Sequence, residues 1–125
     1  VMPHFEAAGV RMAIEPLNRF ETFFLNTAAD ARRLVEEVGS PAAGVLFDSF
    51  HANIEEKQIG AAAASLGDRL FHVHTCENDR GAPGSGHVDW DGLFAGLGEA
   101  NYDGWCVIES FGFNIKEIAA AACIW

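Results

Sequence analysis

The stretch "RLFHVHTCENDRGAPGSGHVDW", residues 69–90, decides the fold. It opens as a short apolar run into which His72 and His74 are set two residues apart. It continues through Glu77, Asn78, Asp79 and Arg80 into a turn-rich segment with Gly81, Pro83, Gly84 and Gly86. From Trp90 a helical pattern resumes. A short apolar run between breakers reads as a buried strand. A strand followed by a polar loop and then a helix is one βα unit, with its chemistry at the strand's C-terminal end.

The same pattern recurs along the chain. "VRMAIEP" (10–16), "AGVLFDSF" (43–50) and "WCVIESF" (105–111) join 69–75 as expected strands. All are rich in Val, Ile, Leu or Phe, as expected of strands covered on both faces. Helices are expected over 26–40, 54–68 and 90–104, with a last one starting near Asn114. For 26–40 the signals are Asn26 or Thr27 as cap, Asp30 in the first turn and Gly39 as stop. The order βαβαβαβα implies a parallel sheet. Its spacing is that of (β/α)8 barrel units, of which a complete barrel needs about 250 residues. The 125 residues therefore read as a single domain holding about four units, half a barrel. A small open α/β sheet, complete in itself, is the alternative. A helix under way at Val1 and an unstopped helix at the other end favour a fragment of a longer protein.

Each expected strand is apolar until its C-terminal end, where Glu15, Asp48, His74 and Glu109 stand. Taken singly, these read as a loop glutamate, a turn residue or cap, a hydrogen-bonded core histidine and a helix-start carboxylate. Four in register, one per strand, point to a site, because parallel sheets bind ligands at that edge. Converging carboxylates repel, and a divalent cation is the simplest remedy. Three carboxylates and one imidazole suit Mn²⁺, Mg²⁺ or Co²⁺ better than a structural zinc.

Composition sets limits. Half the residues are apolar, enough for a core. The formal charge of −10, with Arg32-Arg33 as the longest basic run, disfavours nucleic acid. No apolar run reaches spanning length and no secretory signal is read, so no membrane partner is expected. Three widely spaced cysteines (Cys76, Cys106, Cys123) fit a reducing, cytoplasmic setting better than a disulfide framework.

"IEPLNRFETFFLNT", "FDSFHANIEE", "HVHTCENDRGAPGSGHVDW" and "VIESF" together resemble the ketose 3-epimerases, the D-tagatose and D-psicose 3-epimerase group of the xylose isomerase-like TIM barrels. The resemblance runs the length of the chain and corresponds to the C-terminal half of that barrel. It implies a metal-dependent isomerase that inverts C3 of a free ketose through a metal-bound enediolate, using Mn²⁺ or Co²⁺. Glu15 and Glu109 match residues that are both metal ligands and acid/base catalysts; Asp48 and His74 match the other two ligands. Glu21, His51 and Arg80 match residues that hold the sugar. A half barrel exposes two strand edges, so pairing with another copy or with the absent N-terminal half is expected.

Alternatives remain open at this point: an aldose–ketose or hydroxypyruvate-type isomerase, or a non-catalytic half barrel that binds metal or sugar. A phosphate cradle at 81–86 lacks the Gly-Lys-Ser/Thr ending. A DNA phosphodiesterase on this fold is disfavoured by the acidic charge. His72 is read as structural and His87 as a loop histidine. Phe20, Phe23, Phe24, Phe47 and Phe50 are expected in core or mouth packing, and Trp90 and Trp105 as helix anchors.

Overall fold

The computed structural model describes residues 1–111 and 115–122. The element order is α1 (Met2–Ala8), β1 (Met12–Ile14), α2 (Ala28–Val38), β2 (Ala43–Asp48), α3 (Ser49–Glu55), α4 (Ile59–Leu66), β3 (Leu70–Thr75), α5 (Trp90–Glu99), β4 (Cys106–Ile108) and α6 (Ile115–Ala121). The four strands form one sheet in the order β1-β2-β3-β4, parallel throughout. This is the α/β, four-unit arrangement that the alternating pattern predicts. The expected start of the last helix at Asn114, and Cys123, lie outside the described residues.

Strand pleating sorts the side chains. Ile14, Val45 and Leu70 are in register, as are Phe47, Val73 and Cys106. This alternate set faces the helices. Val45, Phe47 and Val73 there are fully buried, packed with Ala31 and Val35 of α2, Ala63 and Leu66 of α4, and Leu93 and Leu97 of α5. The other set, which includes Ala13, Gly44, Leu46, His72, His74 and Val107, lines the opposite face. The register shifts between Val45 and Leu46, so Phe71 is the extra residue. Its ring fills the space over Gly44, where a β-carbon would collide with it. The bulge thereby restores His72 and His74 to the face that carries Leu46 and Asp48.

Helix ends follow their local chemistry. Thr27 caps α2, its hydroxyl accepting from Asp30 N at 3.2 Å, and Gly39 ends it in the left-handed region at φ 68°. Asp89 caps α5 by accepting from Gly92 N at 3.0 Å. Helices α4 and α5 touch backbone to backbone: a β-carbon at Gly60 would meet the Gly92 carbonyl, and one at Gly96 would meet the Gly60 carbonyl.

Several expectations are corrected. The helix predicted over 54–68 is two helices, because Asp48 ends β2 and starts α3 at once; Ser49 and Phe50 are helical, not strand. The strand predicted over 105–111 is only Cys106–Ile108, an edge strand with one neighbour. Phe20, Phe23 and Phe24 are not packed: they are 82%, 99% and 62% exposed on the loop after β1. Trp105 is 81% exposed and anchors no helix. Trp90 does pack against the core from the first turn of α5.

Candidate metal centre

Parallel register brings four polar side chains to one point. Asp48 pairs with His74 across β2 and β3, and Glu109 N donates to Thr75 O (3.1 Å) just beyond β4. Glu15 follows β1 by one residue. All four fall on the face opposite the helices, at the C-terminal edge of the sheet. Glu15, Asp48, His74 and Glu109 each offer one ligand atom, and these atoms lie within 4.8 Å of one another. This is the set of strand ends that the sequence singles out.

Each member has its own constraints. Asp48 does two things. Its Oδ1 caps α3, accepting from Phe50 N (2.7 Å) and His51 N (3.4 Å), so that the strand turns into a helix at this residue. Its Oδ2 faces the cluster. Asp48 is therefore both a helix cap and a member of the cluster. His74 is not a hydrogen-bonded core histidine: its Nδ1 is buried without a hydrogen-bond partner. That nitrogen stands 3.3 Å from Glu109 Oε1 and 3.8 Å from Asp48 Oδ2. An orphaned ring nitrogen among carboxylates is expensive unless something accepts its lone pair. A divalent cation would do so, and hard oxygen donors with one imidazole fit Mn²⁺, Co²⁺ or Mg²⁺.

Electrostatics agree. Burial, then the charges of Asp48 and Glu109, push the Glu15 carboxyl up from 4.5 to about 7, against the pull of Arg80. Burial lowers the pKa of His51, favouring its neutral form. Burial and Asp48 push the Cys76 thiol up to about 11, so it is no nucleophile at neutral pH.

Arg80 enters from the loop after β3. Its Nη1 donates to Asp48 Oδ2 and Glu109 Oε2, both at 2.8 Å, and its Nη2 lies 2.8 Å from His51 Nε2. The guanidinium carbon sits 4.1 Å from the Phe50 ring centroid and 4.9 Å from that of Phe111, within cation–π range. His51 Nε2 is also 3.8 Å from Glu15 Oε1, while Asn18 N donates to His51 Nδ1 at 3.0 Å. Glu21 stands on the exposed loop, outside the cluster, and accepts from Asn18 Nδ2 at 2.8 Å.

His72 lies one layer below, its ring 5.1 Å from that of His74, edge to face. His87 is exposed on the loop before α5, with Asn53 Nδ2 3.5 Å from its Nε2. Three contributors went unnoticed in the sequence. Asn18, 1% exposed, links Glu21 to His51 and is foreshadowed only by the Asn-x-x-Glu spacing within 18–21. Phe111 stacks on Arg80, for which no signal exists. Glu77, fully buried, stands in the polar run 77–80, and nothing in that run sets it apart from its neighbours.

A parallel βα array with a carboxylate–histidine cluster at its C-terminal edge, a group that could hold a metal ion, defines an α/β protein of the barrel type. The chain belongs to the xylose isomerase-like TIM barrel family, which it matches over residues 1–125. It is 44% identical over 116 residues to a probable ketose 3-epimerase of Synechocystis sp., covering 93% of this chain and 40% of that protein. It superposes on D-psicose 3-epimerase with D-tagatose from Clostridium cellulolyticum H10 at a TM-score of 0.84 with 37% identity, covering 96% of this chain and 42% of that one. It superposes on 3-keto-D-glucoside 4-epimerase from Escherichia coli at a TM-score of 0.88 with 33% identity, covering 99% and 48%. The chain thus spans less than half the length of these relatives. Among the described residues no helix is long and apolar enough to cross a membrane.

Proposed function

We propose that the chain is the C-terminal half of a metal-dependent sugar epimerase, inverting C3 of a free ketose of the D-tagatose or D-psicose type. The observation that carries the reading is the cluster of Glu15, Asp48, His74 and Glu109 at the C-terminal edge of the sheet. The relatives, named as ketose and D-psicose 3-epimerases, support the substrate class.

Glu15, Asp48, His74 and Glu109 would hold the metal, Mn²⁺ or Co²⁺. When bound, that ion supplies Lewis-acid stabilisation of the negative charge that develops on the sugar oxygens as a proton leaves the carbon beside the carbonyl. The chain's own residues do the rest. Glu15 and Glu109 arrive from the two outermost strands, with Asp48 and His74 between them. Two carboxylates on opposite sides of a bound sugar let one take the C3 proton and the other return one to the opposite face, as inversion requires. Arg80 and His51 present hydrogen-bonding groups beside these carboxylates, in reach of sugar oxygens. Glu21, joined to His51 through Asn18, completes the sugar-holding set.

A second reading rests on the likeness to the 3-keto-D-glucoside 4-epimerase. There the exchanged carbon is C4, again next to a ketone. Position-resolved deuterium incorporation separates the two: the proposal expects label at C3 of D-fructose or D-tagatose, with the 3-epimer. Label restricted to C4 of a 3-keto-glucoside would replace it with the second reading.

A further inference from the structure

We propose that Glu77 is a positioning residue: its buried carboxylate folds the 77–90 loop into the shape that delivers Arg80 to the acidic cluster. The inference rests on the reading above only in taking Arg80 to face the sugar.

Glu77 is 0% exposed and stands apart from the four-residue cluster. Oε1 accepts from Trp90 Nε1 at 2.6 Å and from Gly84 N at 2.8 Å. Oε2 accepts from Val88 N at 3.2 Å and Asn78 N at 3.3 Å. The four donors come from the start of the loop, its middle, its exit and the first residue of α5. A carboxylate has about four acceptor sites, and here all are taken by donors spread along the loop; the Asn78 side chain adds one more tie between its start and exit, accepting from His87 N at 3.1 Å. The loop closes on it tightly: a β-carbon at Gly86 would fall against Glu77 Oε2 and Asn78 Oδ1.

The same residue's backbone holds Arg80. Arg80 N donates to Glu77 O at 3.0 Å, and Glu77 N donates to Gly81 O at 3.1 Å. Arg80 is left-handed at φ 64°, a conformation arginine seldom adopts unaided, so the loop imposes it. Two bonds from beyond β4 fix the far side: Phe111 N to Arg80 O and Ser110 Oγ to Gly81 O, both 2.8 Å. With its backbone so held, the side chain reaches Asp48, Glu109 and His51 together. A loop with three glycines would otherwise leave Arg80 many places to be.

The test is the reactivity of Arg80. Glu77→Gln keeps the shape of the side chain but turns an amide NH₂ toward N–H donors, so part of the cradle must open. Phenylglyoxal modification, read peptide by peptide by mass spectrometry, reports each arginine; exposed Arg33 is the internal reference. The variant should react several-fold faster at Arg80 and unchanged at Arg33. Trp90→Phe removes one donor and should give a smaller rise in the same direction, which keeps the test usable if Glu77→Gln does not fold. An unchanged Arg80 rate in the folded variants overturns the proposal. In a complete barrel carrying the chain, Glu77→Gln should raise KM for the ketose more than it lowers kcat. The opposite split, with an unchanged Arg80 rate, also overturns it. If the unaltered protein exchanges no sugar proton, the function above falls, and the modification rates still decide the role of Glu77.

Discussion

Glu15→Gln is expected to stabilise the chain in the presence of a chelator, although it removes a residue from the site. Burial and the charges of Asp48 and Glu109 raise the Glu15 carboxyl from 4.5 to about 7. At about 1.4 kcal/mol per tenfold change in proton affinity, keeping Glu15 ionised in the fold costs roughly 3 kcal/mol. Its side chain is 27% exposed. Solvent screening reduces the expected net effect to about 1–2 kcal/mol. The sign follows from linkage. The folded chain binds this proton more tightly than the unfolded chain, so the penalty is absent below the unfolded pKa. It grows between 4.5 and about 7 and is complete above. Glutamine carries no such penalty. Urea denaturation with chelator should therefore show the variant more stable by about 1–2 kcal/mol near pH 8.5, with little difference near pH 4.5. Saturating Mn²⁺ should reverse the order, since the variant has lost a ligand. A loss of stability near pH 8.5, or an equal gain at both pH values, would refute the reasoning.

Other perturbations probe other parts of the account. His74→Ala should weaken Mn²⁺ binding by more than about 100-fold in titration calorimetry, because it removes the only nitrogen donor of the cluster. Arg80→Ala leaves Asp48 and Glu109 without their shared counter-ion. It should lower stability in chelator by about 2–4 kcal/mol, much of it recovered when Mn²⁺ is added. Gly96→Ala drives a methyl into the Gly60 carbonyl at the α4–α5 contact. A loss of about 3 kcal/mol in denaturant melts is expected, with metal affinity per folded molecule unchanged.

The strands and the candidate site were legible for one reason: a short apolar run between breakers makes a polar residue within it or at its end conspicuous. Glu15, Asp48, His74 and Glu109 each interrupt or end such a run. Pleating explains why four separate interruptions converge, since parallel register keeps strand ends level. The residues that were misread lie where that logic fails. Asp48 serves as both ligand candidate and helix cap, so the strand signal of 43–50 ran on into α3. Phe20, Phe23 and Phe24 are apolar by type but sit on an exposed loop, and no pattern in a single sequence distinguishes loop aromatics from core ones. Nothing in the polar run 77–80 sets Glu77 apart; only the fold shows four donors converging on it. The bulge at Phe71 was hidden for the same reason, being set by the open space over Gly44 in the neighbouring strand.

The most direct test is mass spectrometry of D-fructose and D-tagatose after incubation in D₂O with Mn²⁺, using the chain and a complete barrel that carries it. The account predicts one carbon-bound deuterium at C3, accumulating together with the 3-epimer, and its loss in both Glu15→Gln and Glu109→Gln. Deuterium at C1 with formation of an aldose would contradict it, as would a metal-loaded complete barrel that leaves C3 unlabelled in both sugars.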